Sequence, residues 1–201
     1  MTGKNQWKQE RTMYNQKFGI TNIAHNLYPH IHRIIALRDI GAEVHRGDLG
    51  GFVADESNLS YEPGDNSWIF GDAVAADLSI VAQDSQLRDH AVACGEAYVS
   101  HGSVLSGYAC AEDNAYIRGS TVTGNARVSG GGSVLDLPET GKAPVLTGSS
   151  AVYGTVQGDV HMDGAALVFA GETIRNDTRD KLVINGSHRV VIHAPRKIFQ
   201  P

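Results

Sequence analysis

Between Asp72 and Gly119 the chain repeats every six residues, eight times without a gap: DAVAAD, LSIVAQ, DSQLRD, HAVACG, EAYVSH, GSVLSG, YACAED and NAYIRG. The second residue of every block is small: Ala73, Ser79, Ser85, Ala91, Ala97, Ser103, Ala109 and Ala115. The fourth is aliphatic or Ala, and it carries a longer period. Ala75, Ala93 and Ala111 form one set, Val81, Val99 and Ile117 a second, Leu87 and Leu105 a third. Residue character therefore recurs at every third block. Three six-residue strands per coil, with coils stacked like on like, produce both periods, because no single unit can bury its apolar side chains except against its neighbours. A run of ordinary antiparallel strands would need turn signals but no recurrence at every third block.

This pattern resembles the hexapeptide-repeat family of left-handed parallel β-helices, in which an aliphatic residue fills the prism and a small residue two places earlier sits at the corner. The left hand is implied by the resemblance alone, since right-handed crossovers are the general rule. The implied class is all-β, a left-handed parallel β-helix with three hexapeptides per coil, an N-terminal arm, a β cap and a C-terminal strand extension. A closer resemblance lies upstream of the repeats. RIIALRDIG, GDLGGFV, NLS and SWIFGDA, spread between Arg33 and Ala73, resemble the cap of the YdcK-like acyltransferase family, hexapeptide-repeat proteins of enteric bacteria with phage-encoded relatives.

The organisation expected along the chain is a basic polar arm over 1–29, a cap over 30–71, the β-helix over 72–174 and a C-terminal hairpin or tail over 175–201. In the arm, Trp7, Tyr14 and Phe18 are spaced to share one side of a helix. In the cap, Phe52 and Trp68 read as bulky plugs of an end that would otherwise expose unpaired backbone and apolar surface. One residue is missing between Ser120 and Gly124, and a tightened turn at Gly124 would keep the columns aligned. Residues 135–149, LDLPETGKAPVLTG with its flank, break the hexads and read as an extruded loop. Pattern returns with Val156, Met162, Val168 and Ile174. About five coils at about 4.8 Å each would make a peg roughly 25 Å tall. Leu182–Ile184 and Arg189–His193 alternate as strands around an Asn185-Gly186 turn.

The sequence holds 17 Lys plus Arg against 22 Asp plus Glu, but the balance is uneven. Between Met1 and Arg38, Lys4, Lys8, Arg11, Lys17, Arg33 and Arg38 face only Glu10, on an otherwise acidic body. Scattered basic residues suit a clasp on another protein better than nucleic acid, which favours a clustered basic patch. The stretch from Met1 to His30 lacks the apolar core of a signal peptide, and no apolar run approaches a membrane span. Cytoplasmic synthesis without membrane attachment is the expectation. Cys94 and Cys110 fall in outward slots of successive coils, where reduced thiols are the default over a disulfide or a metal pair.

Outward positions define the surface. Val74, Val92 and Cys110 form one column, Ile80, Tyr98 and Tyr116 the next, Gln86, Val104 and Val122 the last. Apolar stripes on rigid walls mark interfaces. The expected interface residues are Val74, Val92, Ile80, Tyr98, Tyr116, Trp7, Tyr14 and Phe18, and a homotrimer is the economical assembly for this repeat class. Alternatively the arm or the C-terminal strands cover these stripes within one chain. Catalytic candidates are weak: His101, in a corner slot between Gln83 and Gly119, and His161, between Asp159 and Asp163, each read as exposed along with His90. The loop offers Lys142. His30 and His32 could share a metal, but no metal site is expected, and no phosphate loop, triad or paired carboxylate stands out. Two functions follow. One is a non-enzymatic structural module that docks on or cements a larger assembly, such as a phage particle, and needs no cofactor. The other is an acyltransferase using acetyl-CoA, with a His as general base.

Overall fold

The structure is a computed structural model that describes residues 14–195. The chain visits three flat faces in turn. Face I is a sheet of nine strands, face II of six and face III of eight. Apart from the first two strands of face I and the last of face III, neighbouring strands on each face are parallel and one coil apart: Val74, Val92, Cys110, Arg127, Ala151 and Leu167 stack on face I. Ile80, Tyr98, Tyr116, Ser133, Thr155 and Thr173 stack on face II. The corresponding row on face III is Gln86, Val104, Thr121, Val145, His161 and Val183. This is a parallel β-solenoid. The fourth residues of the hexads point inward and are fully buried, Ala over Ala, Val over Val and Leu over Leu. Burial of each Val, Ile or Leu side chain contributes about 1.5–3 kcal/mol.

The solenoid has about seven turns, two more than the sequence pattern alone indicates. Leu49–Val53 and Trp68–Ile69, within the expected cap, already pair in parallel with the first hexads. Lys181–Asn185, within the expected tail, adds a parallel strand to face III. Both cap strands carry the hexad signature, with Gly51 and Ser67 small at the second position and Val53 and Ile69 aliphatic at the fourth and an insertion between the two strands, whereas Leu182 breaks it in the last strand. At about 4.8 Å per turn the stack rises roughly 30 Å.

Several local expectations are corrected by the register. Thr121 pairs with Val104 and Val122 with Leu105, so the missing residue lies at the Gly119–Ser120 corner rather than near Gly124. Val122 accordingly points into the core and not outward. Corners absorb length changes because strand pairing on either side is unaffected. The extruded loop is shorter than 135–149: Ser133–Leu135 and Val145–Leu146 are both ladder strands, leaving residues 136–144 outside. In the terminal hairpin Asn185 pairs with His188, so the turn residues are Gly186 and Ser187.

The arm is not helical where it is described. Phe18–Ala24 is a strand antiparallel to His32–Ala36, which in turn lies antiparallel to Leu49–Val53. Phe18 is buried in the core, which removes it from any interface, and Tyr14 is exposed just before the strand; Trp7 lies outside the described residues. Lys17 is consumed as well. Its ammonium donates to the Ser60 carbonyl at 2.7 Å and lies 3.6 Å from the Asp65 carboxylate. Trp68 does not plug the prism: it pairs with Gln86 in the outward row of face III and is buried under the cap, so closely that a Cβ on Gly50 would stand 2.7 Å from its ring. Phe52 does not plug it either. Phe52 faces outward and packs with Ile31 and Val74 against the wall of face I.

Candidate interaction faces

The upper part of face I is covered by the chain itself. Ile31 and Phe52 lie on Val74, which is 8% exposed. The His25 ring meets Phe52 edge-on at 4.9 Å, and the Arg33 guanidinium lies 4.2 Å over the same ring while bonding Asp72 at 2.8 Å. Between this overhang and the wall at Val74, Val92 and His90 is a cleft of about 460 Å³. The expectation of Val74 as an interface residue is therefore corrected: its partner is this chain's own cap, and Val92 is half-buried beside it.

Face III is covered at its top in a similar way. The Ile40–Val44 turn closes over Trp68 and Phe70, and Glu43 bonds Arg88 at 2.6 Å while that guanidinium lies 4.1 Å over the Phe70 ring. Lower down the row is Thr and Val with His161 among them, all half-buried.

Face II keeps its apolar row uncovered. Ile80 is 41% exposed, and Leu78, at the corner leading into this face, is 69% exposed. Tyr98 and Tyr116 follow, their rings stacked at 5.7 Å with 16° between planes. Burial, together with the neighbouring Tyr116 and Asp65, holds the Tyr98 phenol above its ordinary pKa. Below Tyr116 the row turns polar, with Ser133, Thr155 and Thr173. The apolar row is thus a discrete patch on the upper half of one wall.

The catalytic candidates do not converge. His101 sits at the corner between faces II and III, exposed, with φ 56° and its Nδ1 3.2 Å from the Ser100 hydroxyl. His161 lies on a strand in the wall of face III, half-buried rather than exposed. His90 stacks on Tyr108 at 5.0 Å on a different corner, between faces III and I. Lys142 is not free on its loop: its ammonium bonds Asp159 at 2.9 Å and the carbonyls of Thr178 and Arg179 at 3.1 and 3.0 Å. The same loop is tied to the wall by Asp136 with Arg118 at 2.6 Å, and by Glu139 with Arg175 at 3.3 Å. His30 and His32 gain no further donor, and among the described residues no three His, Cys, Asp or Glu side chains are grouped to hold a metal ion.

One signal in the hexads went unread at the level of sequence. The sixth position is the left-handed corner. Asp77, Gln83, Asp89, Gly95, His101, Gly107, Asp113, Gly119, Gly124 and Gly130 all have φ between 55° and 69°. Their restriction to Gly, Asp, Gln and His is the trace of that conformation, which residues with short polar side chains or none tolerate best. His101 belongs to this structural column.

No helix of the described residues is long and apolar enough to cross a membrane. Comparisons of the chain with protein-family models, with curated proteins and with solved structures return no match, so the resemblance to YdcK-like proteins rests on the quoted cap and hexad residues alone.

Proposed function

We propose that this chain is a non-enzymatic assembly module: a rigid β-solenoid that forms a homotrimer through face II and docks on or cements a larger protein assembly. The observation that carries this reading is the apolar row on face II, with Leu78 and Ile80 exposed and Tyr98 and Tyr116 half-buried below them, beside two walls whose uppermost rows are covered by the chain's own cap. Apolar side chains fixed on a flat, fully paired sheet lose little further freedom on docking, so their burial translates efficiently into association. A closed ring buries the row on every copy at once. The phage relatives implied by the cap resemblance support a virion as the larger assembly, with the basic N-terminal segment as the clasp.

Sedimentation of the intact protein tests the first part. Wild type is expected to run as a trimer, and Tyr98→Lys with Tyr116→Lys as a monomer with an unchanged melting temperature. A wild-type monomer at micromolar concentration would sink the trimer. Isolation of the native assembly tests the second part, with co-purification in fixed stoichiometry expected and its loss expected on deletion of residues 1–13, which leaves the cap strand Phe18–Ala24 and the buried Lys17 in place.

The acyltransferase reading has less support, because His101 serves a corner, His161 lies in a wall, and the Lys142 ammonium already has three partners. Calorimetry with acetyl-CoA is expected to show no binding. Binding that disappears in His101→Ala or His161→Ala would replace the module reading.

A further inference from the structure

Below the cap overhang, face I carries both cysteines. Cys110 opens the strand Cys110–Ala111, and Cys94 directly follows the strand Val92–Ala93 one turn above. The register pairs Val92 with Cys110 and Ala93 with Ala111. Cys94 is therefore the diagonal neighbour of Cys110, two positions further along the adjoining strand. Ala93 and Ala111 point into the core, so both cysteines point outward, and both are half-buried free thiols. The Cys94 thiol is held below its ordinary pKa and the Cys110 thiol above it, the neighbouring cysteine being the first cause of each shift. The Cys110 sulfur also lies 3.6 Å from one oxygen of Glu112, whose other oxygen accepts from Arg127 at 2.6 Å.

Two outward thiols on adjoining strands usually raise the question of a disulfide. Here the register argues against one. Two positions along a parallel strand at about 3.3 Å each, across a strand spacing of about 4.8 Å, put the two Cα atoms about 8 Å apart, beyond the separation of about 7 Å at which a disulfide closes without backbone movement. The backbone is also held: the Cys94 N–H donates to the Ala111 carbonyl at 2.9 Å and the Cys110 N–H to the Ala126 carbonyl at 3.0 Å. A single ion held between the sulfurs spans a wider gap than an S–S bond of about 2.05 Å and so suits the diagonal better. The donor set then selects the ion. Zinc takes about four ligands in structural sites, whereas no group of three His, Cys, Asp or Glu exists among the described residues and Glu112 is already matched by Arg127. An ion satisfied by two thiolates must be soft.

We propose that Cys94 and Cys110 form a surface site for a monovalent soft metal ion of the copper(I) class, held between their two sulfurs. The two thiols release their two protons, two metal–sulfur bonds form, and neither sulfur nor metal changes oxidation state. The site lies on face I and stands independently of any association through face II.

Titration of the full chain with silver(I), a redox-inert member of the same class, tests the proposal by native mass spectrometry and by counting free thiols. One ion per chain is expected to block both thiols and to survive competition by excess free cysteine. Cys94→Ser and Cys110→Ser, each first shown to melt like wild type, are both expected to lose the ion to that competitor. Retention by either variant at the wild-type level, or two ions needed to block two thiols, would overturn the shared site. Mild oxidation with diamide supplies a second readout: two thiols are expected to persist in the folded protein, and rapid loss of two hydrogens in mass would refute the diagonal geometry on which the proposal stands.

Discussion

Lys17 shows how much a single residue can change meaning between sequence and structure. In the sequence it is one of six basic residues near the N-terminus, and its partner Asp65 is too distant in the chain for any local pattern to join them. In the fold its side chain is fully buried, and desolvation pushes its pKa from 10.5 down to about 8 against the pull of Asp65. Burial works to raise the Asp65 carboxyl, but hydrogen bonds from Ser67, Ser60 and Gln83 outweigh it and hold that group well below the ordinary carboxylate range. The unfolded chain keeps the Lys17 proton until about pH 10.4. Between about pH 8 and 10 the unfolded state therefore binds more protons, and stability from this group rises with pH. Urea melts of wild type and Lys17→Met should show the difference between them moving in favour of wild type by about 1–3 kcal/mol over that window; a constant difference would mean that the ammonium is not desolvated. His101 changes meaning in the opposite direction, from a candidate base to a corner residue. With φ at 56°, His101→Gly should stabilise the protein by about 0.5–1 kcal/mol in a denaturant melt. A loss of stability would show that the ring, through Ser100, outweighs the backbone strain.

At the scale of the coil, the second and fourth hexad positions were legible because burial restricts them, while the sixth is restricted by backbone conformation and admits more residue types. Corners stack on corners. A Cβ on Gly95 would lie 2.8 Å from the Asp113 N and 2.9 Å from its Cα in the next turn, at φ 67°. Gly131, in the GGG corner below, has open space around it and no left-handed φ. Gly95→Ala is expected to cost about 2–3 kcal/mol and Gly131→Ala to be neutral within about 0.5 kcal/mol, measured as paired thermal or urea melts. Equal effects would mean that the corners do not pack turn against turn. The outward columns were legible for the same periodic reason, apart from Val122 after the deleted residue. Which column stays free was not, because the covers, Ile31 and Phe52 for face I and Ile40–Val44 for face III, lie upstream of the gapless run of hexads.

Over the whole molecule the two ends are closed by different means. The N-terminal end has two antiparallel strands, the buried Lys17–Asp65 pair and the buried Trp68 ring. At the other end face I stops at Leu167–Val168 and face II at Thr173–Asn176, each with one strand edge unpaired among the described residues. Only face III continues, into a hairpin whose last strand, His188–Ile192, is exposed at every residue. In a stacked repeat each turn is held chiefly by its neighbours, so stability is lowest where a turn has one neighbour and no cap. Opening should therefore begin at the C-terminal end and run upward. Hydrogen exchange followed by mass spectrometry is expected to find the strongest protection across residues 73–128, weaker protection from 151 onward and the weakest in 181–192. Earlier exchange in the cap strands than in Thr173–Asn176 would reverse the order and place the weak end at the cap.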